Sequence, residues 1–239
     1  MLTEKVPNIT QSLLLNAVDF NDAWKVQFPL ESTKRDYFYS GKRETTEVSM
    51  MSTEVETFKF YEDLEMKYKF LELPYEDEKM SMILALPIQY DQPANLQIDG
   101  DMLCDIKSKM ISTKLDMVAI PRMKFQFQTN LKEVLIDVGV KDFFHSFEAN
   151  FSGICDANDF YIDDIVQKTL VEVDEEGNDA ATITKLKFLP LAFRGVKEFI
   201  ANHPFQFYVQ DKTSGVILVA GRVDEPSESI SLAENLRFM

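Results

Sequence analysis

Between residues 44 and 73 the chain alternates polar and apolar side chains repeatedly, as in Thr57-Phe58-Lys59-Phe60-Tyr61 and Met66-Lys67-Tyr68-Lys69-Phe70-Leu71-Glu72-Leu73. Side chains on a strand point to opposite faces in turn, so this period suits extended chain with one face against a core and cannot suit a helix. The run predicts strands. Residues 76–79 (EDEK) interrupt it, and Met80-Ser81-Met82-Ile83-Leu84-Ala85-Leu86-Pro87 follows. Two apolar runs around a short charged turn read as a hairpin.

The same reading extends along the chain. Residues 12–20 (SLLLNAVDF) are apolar and compact, as in a strand buried on both faces. PFQFYVQ and VILVAGRV flank DKTSG (211–215) as a second hairpin. Helical spacing of Leu96, Ile98, Met102, Leu103, Ile106, Met110 and Ile111 predicts a helix over 95–117. One strand is expected over 118–127, with Pro121 marking an edge or bulge. A short helix is expected over 129–138, capped by Thr129 or Asn130 and stopped at Gly139. The class is α+β, dominated by mostly antiparallel sheet. No linker divides the chain; the expected organisation is one domain over 1–226 and a polar tail over 227–239, loose at its end.

With 25 basic against 40 acidic residues, the net charge of −15 excludes nucleic acid and anionic membrane as partners. The acidity serves either solubility or a partner with a basic surface. No apolar run reaches membrane-spanning length. The opening MLTEKVPNITQ lacks the charged start and apolar stretch of a signal peptide. Asn8-Ile9-Thr10 and Asn150-Phe151-Ser152 are glycosylation sequons and lean weakly towards secretion. Cys104 and Cys155 are too few for a disulfide framework; they could pair once or stay as free core thiols, and free thiols are expected.

Enzyme chemistry finds no anchor. There is no Gly-x-Ser-x-Gly elbow, no His-Glu-x-x-His, and no phosphate-cradling glycine loop. His145, in DFFHSF, reads as a partly buried histidine among aromatics, and His203, in ANHPF, as structural. No catalytic residue, cofactor or metal is expected.

Residues 177–193 (GNDAATITKLKFLPLAF) are unusual. A turn-like start gives way to small residues and then to a strand pattern ended by Pro190. Asn178, Ala180, Thr182, Thr184, Leu186 and Phe188 share one face; Asp179, Ala181, Ile183, Lys185, Lys187 and Leu189 share the other. Small leading residues could slip between neighbouring strands with little steric cost. The pattern also fits an ordinary sheet strand.

VEVDEEGNDAAT (171–182) resembles the hinge of the serpins, protease inhibitors with a mobile reactive loop. Other landmarks follow in serpin order: LLLNAVDFNDAWKVQF (13–28) with Trp24, ESTKRDYF (31–38), VSMM (48–51), LELPY (71–75), SMILALP (81–87), IPRMKFQ (120–126), VGVKDFF (138–144) and ANFSGI (149–154). EFIANHPFQFYV (198–209), with Pro204 and Phe205, and GVILVAGRVDEP (215–226) lie beyond the hinge. The resemblance begins part-way along the family pattern. The expected fold is serpin-like without its N-terminal helices and several main-sheet strands, leaving residues 12–20 at an open edge that invites self-association.

The resemblance implies a suicide substrate. A serine protease attacks the loop, about 177–197, and the cleaved loop inserts into a sheet. The implied hinge is Glu175, Glu176, Gly177, Asn178, Asp179, Ala180, Ala181 and Thr182. The implied scissile bond is Leu191–Ala192, with Phe193 or Arg194 as alternatives. Leu191 or Phe193 suits a chymotrypsin- or elastase-like enzyme, and Arg194 a trypsin-like one. Family members commonly carry Thr or Ser where Asn178 stands, and a histidine where Gln167 stands, bonded across the sheet to the position of Asn16. Glu175 and Arg122 match an ion pair near the insertion point, whose bland counterpart is a surface pair of little worth. The alternatives are a non-inhibitory serpin-like protein for binding, chaperoning or storage, and an inactive fragment. The family implies an extracellular setting, with a cytoplasmic one as the alternative.

Overall fold

The computed structural model describes residues 13–20, 23–40, 44–153, 160–175, 196–227 and 231–232. The chain forms two compact units, residues 1–20 with 126–170 and residues 21–125 with 171–239.

The second unit is built on the alternating sequences. β2 (Lys34–Ser40), β3 (Glu44–Asp63), β4 (Tyr68–Pro74) and β5 (Met80–Pro87) pair antiparallel in succession. The β4–β5 turn falls where the charged residues predict it. β6 (Ile111–Pro121), β9 (Glu198–Ile200), β10 (Phe205–Asp211) and β11 (Ile217–Val223) complete an eight-stranded sheet. Its order is β11-β10-β5-β4-β3-β6-β9, with β2 also on β3. The second expected hairpin is β10–β11. The β6–β9 pair is parallel, an exception to the antiparallel rule.

β3 serves three partners along its length: β2 from Glu44 to Met50, β6 from Met50 to Phe60, and β4 from Lys59 to Asp63. Such a strand must bend. Val55 adopts φ 55°, a rare conformation for a β-branched residue, and drops out of the ladder between the Glu54–Met117 and Glu56–Leu115 pairs.

α1 (Gly100–Lys109) lies over one sheet face. Asp99 caps it by accepting from the Met102 N–H at 2.8 Å. Leu103 and Ile106 bury against Tyr68, Phe70, Ile83, Ala85, Met110 and Tyr208. The helix is shorter than its spacing implies. Leu96 and Ile98 precede it without helical structure, and 111–117 is strand, because residues 50–60 of β3 offer it a ladder. The expected single strand over 118–127 is likewise two: β6 ends at Pro121 and β7 (Met123–Asn130) belongs to a different sheet. Cys104 lies exposed on α1 as a free thiol, not in the core as expected.

The other sheet has the order β1-β8-β7-β12, with β1 at Leu13–Phe20, β8 at Asp164–Val173 and β12 at Ser231–Leu232. β1 lies at one end, and Leu14 is half exposed, so the expectation of burial on both faces fails there. In the tail, Ser227 accepts from the Lys124 N–H at 2.7 Å, and β12 adds a short strand beyond the hairpin; residues 233–239 lie outside the described range.

In the first unit α2 (Lys132–Asp137) follows β7. Leu131 is its N-cap, not Thr129 or Asn130, although Asn130 Oδ1 still accepts from the Lys132 N–H at 2.9 Å. Gly139 ends the helix at φ 99°, a backbone that only glycine adopts freely. His145 is exposed, contrary to expectation; Phe144 takes the buried position beside it, and Lys132 Nζ sits 5.5 Å from its ring centre.

Candidate functional site

β8 carries the chain to Asp174 and Glu175, where three segments of the second unit hold it. Trp24 Nε1 donates to the Asp174 carbonyl at 2.9 Å, and its ring stacks on Tyr75 with centroids 4.6 Å apart. The Phe28 N–H donates to the Glu175 carbonyl at 3.1 Å. The Glu175 carboxylate is 2% exposed. Arg122 reaches one of its oxygens through Nε at 2.6 Å and a terminal nitrogen at 2.5 Å. Thr33 Oγ1 donates to the other oxygen.

Local reasons place each partner. Arg122 sits between β6 and β7, where Pro121 closes one ladder, and its N–H donates to the Ser49 carbonyl at 2.8 Å. Thr33 follows the short 3-10 turn Leu30–Ser32. Trp24 bridges to Tyr75 at the end of β4. A carboxylate buried this deeply requires a cation and further donors, and all are present. The Glu175–Arg122 pair is therefore no exposed surface pair.

The chain is gripped again after the loop region. The Lys197 N–H donates to Asp116 Oδ2 at 2.8 Å, and the Asp116 N–H donates to the Lys197 carbonyl at 2.8 Å. Glu198–Ile200 then pairs with Met117–Ala119. Phe199, Ala201, Pro204 and Phe205 are buried. His203 is 4% exposed, with Nε2 2.9 Å from the Pro87 carbonyl. Burial is the main cause of its lowered pKa; the Pro87 bond opposes it, and Lys69 adds to it.

Trp24, Arg122 and Glu175 thus meet at one place. Asp174, Thr33 and Asp116 are contacts at the two ends of the loop region that sequence reasoning missed. Asp116 fell inside the segment expected to be helical, 95–117, and neither it nor Thr33 carried a signal. Gln167 is half-buried, with Nε2 3.4 Å from Thr169 Oγ1. The side chain of Asn16 lies outside the described residues, as do Glu176 through Thr182, Leu191, Ala192, Phe193, Arg194, Asn8 and Cys155. Asn150 is exposed and accepts from the Ser152 hydroxyl at 2.8 Å.

A family model described as "Serpin (serine protease inhibitor)" matches residues 1–226. The chain belongs to the serpin family. It is 33% identical over 229 residues to intracellular coagulation inhibitor 2 of Tachypleus tridentatus, covering 94% of this chain and 55% of that protein. It is 34% identical over 228 residues to the leukocyte elastase inhibitor of Bos taurus, covering 92% of this chain and 60% of that protein. The crystal structure of Serpin48, described as a highly specific serpin in the insect Tenebrio molitor, matches with a TM-score of 0.70 and 32% identity. That match covers 93% of this chain and 58% of the other. The chain therefore spans a little over half the length of these relatives. The resemblance and the α+β serpin-like fold read from the sequence are borne out. An extracellular setting finds no support, since one of these serpins is named as intracellular.

Proposed function

We propose that this serpin inhibits serine proteases as a suicide substrate, with residues 177–197 as bait. The observation that carries the reading is the buried Glu175 clamp where the chain enters that segment, matched by the Asp116 grip on Lys197 where it leaves. A loop that must accept a protease and later join a sheet needs fixed roots and a variable middle. The alternation from Asn178 to Leu189 supplies a segment soluble when out and sheet-compatible when in.

In this reading a protease serine attacks the Leu191 carbonyl. The Leu191–Ala192 bond breaks, Ala192 leaves as a free amine, and Leu191 stays esterified to the enzyme. Insertion through the hinge, Glu175 to Thr182, then carries the acylated protease away before water can cleave the ester. Leu191 suits an apolar primary pocket, consistent with a relative named as an elastase inhibitor. Phe193 suits the same enzymes, and Arg194 a trypsin-like one. The domain boundary at Pro226 is part of the same reading. Both a cytoplasmic and an extracellular setting are compatible with it.

A second reading, a non-inhibitory serpin used for binding or storage, is favoured by Asn178. Burying its amide without partners costs about 1–3 kcal/mol and would slow insertion. Mixing the protein with chymotrypsin, elastase and trypsin in turn, followed by a denaturing gel, separates the two. A detergent-stable band at the summed mass supports trapping. Clean cleavage at Leu191 without it supports the second reading. No cleavage within 177–197 refutes the bait reading and leaves the second standing.

A further inference from the structure

Tyr37 and Tyr39 are 57% and 43% exposed, on either side of Phe38, which is fully buried. The alternation of β2 thus turns two tyrosines outward beside each other, with Arg35 next in line on the same face. Tyr90, 57% exposed, joins them. Its ring meets Tyr39 edge-on with centroids 5.8 Å apart and lies 4.6 Å from the His203 ring. Asn202 Nδ2 lies 3.4 Å from the Tyr90 hydroxyl, and the Asn202 carbonyl accepts from the Tyr39 N–H at 2.8 Å.

Three features set this face apart from scattered exposed apolar residues. It is contiguous and made of tyrosine with an adjoining arginine, the residue types that dominate interface hot spots. The Tyr90 ring packs on the buried His203 and the Tyr39 ring meets Tyr90 edge-on, so ordering them on contact costs little entropy. It is also tied directly to the loop's exit. Lys197 is fixed to Asp116, and Asn202, which holds Tyr39 and Tyr90, comes five residues later. Five extended residues span at most about 18 Å. A domain of about 200 residues has a radius of gyration of about 16 Å, hence a body about 40 Å across. A protease seated on the loop would overhang this face. Exposed Glu47, opposite Tyr37, and Asp91, beside Tyr90, give it an acidic rim.

We propose that Tyr37, Tyr39 and Tyr90 form a docking surface for the body of the attacking protease, with apolar surface and a basic rim on the enzyme side. This rests on the reading of 177–197 as bait. Such contacts form on encounter and persist through the reaction, so they raise affinity without changing the chemical step.

The test is the rate of attack within 177–197 under single-turnover conditions, with this protein in large excess over whichever of chymotrypsin, elastase and trypsin cuts it fastest. Wild type is compared with Tyr37→Ala and with Tyr39→Ala/Tyr90→Ala, and with a synthetic peptide of residues 177–197. The expected result is a loss of about tenfold in the second-order rate constant for the double variant, through a higher half-saturating concentration, with the limiting rate held. Tyr37→Ala, whose ring is half exposed, guards against a folding defect and is expected to lose about threefold. Variants cleaved within twofold of wild type overturn the docking surface and leave the bait reading intact. No cleavage of wild type within 177–197 overturns the bait reading and the docking surface with it.

Discussion

Glu175 should be worth far more than an ordinary carboxylate. Its side chain is 2% exposed, one oxygen receives two N–H groups of Arg122, and the other receives the Thr33 hydroxyl. Breaking a buried pair by removing one partner costs about 3–5 kcal/mol, because the other charge is left uncompensated. Arg122 is 35% exposed and can recover some hydration, which lowers the expectation for Glu175→Gln to about 2–3 kcal/mol. Over a chain of this size each kcal/mol moves the melting midpoint by about 2–4 °C, so Glu175→Gln should melt about 5–10 °C lower. Arg122→Met should cost a similar amount. A double-mutant cycle read by urea unfolding should give a coupling of about 1.5–2.5 kcal/mol. A surface pair predicts under about 1 kcal/mol. Additivity of the two variants within about 0.5 kcal/mol would refute the clamp, whatever their individual costs.

Ala180→Arg places a charge on the face expected to enter the sheet; cleavage should continue while the detergent-stable complex disappears. Asn178→Thr should raise the trapped fraction if insertion limits inhibition, and an unchanged stoichiometry on titration would remove Asn178 as the cause. Asp116→Ala removes the acceptor of the Lys197 N–H; amide exchange at Lys197–Ile200 should speed by about tenfold, the size of one charge-assisted bond, while β4 and β5 exchange as before. His203 has a folded pKa below its ordinary 6.5, so the unfolded chain takes up the proton first. Its contribution to stability should be full above about pH 6.5 and fall as pH drops from there towards the lowered value. His203→Gln should flatten that part of a stability–pH curve, and an unaltered slope would count against burial as the cause.

Strand character was legible because it is local. Alternation at 57–61 and 66–73 fixes which residues face a core, and the two charged turns at 76–79 and 211–215 fix where the chain reverses. The ordered landmarks from Leu13 to Pro226 were enough to place the chain in its family. Helical spacing misled at 111–117, because a periodic apolar pattern does not state which partner waits for it. There β3 supplied a ladder, and pairing with it overrode the local preference. Cys104 and His145 were misplaced for a related reason: an apolar neighbourhood in sequence does not say which member turns inward.

What the sequence determined by itself was the strand character of 57–61 and 66–73, the two hairpins, the family and the alternating pattern of 178–189. What only the tertiary structure decided was the company Glu175 keeps. Thr33 is 142 residues away and Arg122 is 53 away, while Trp24 reaches the neighbouring Asp174 across 150. No local pattern encodes such a meeting. It exists because the strand ladders bring these segments to one point, where burial makes an unpaired carboxylate too costly to leave without its partners.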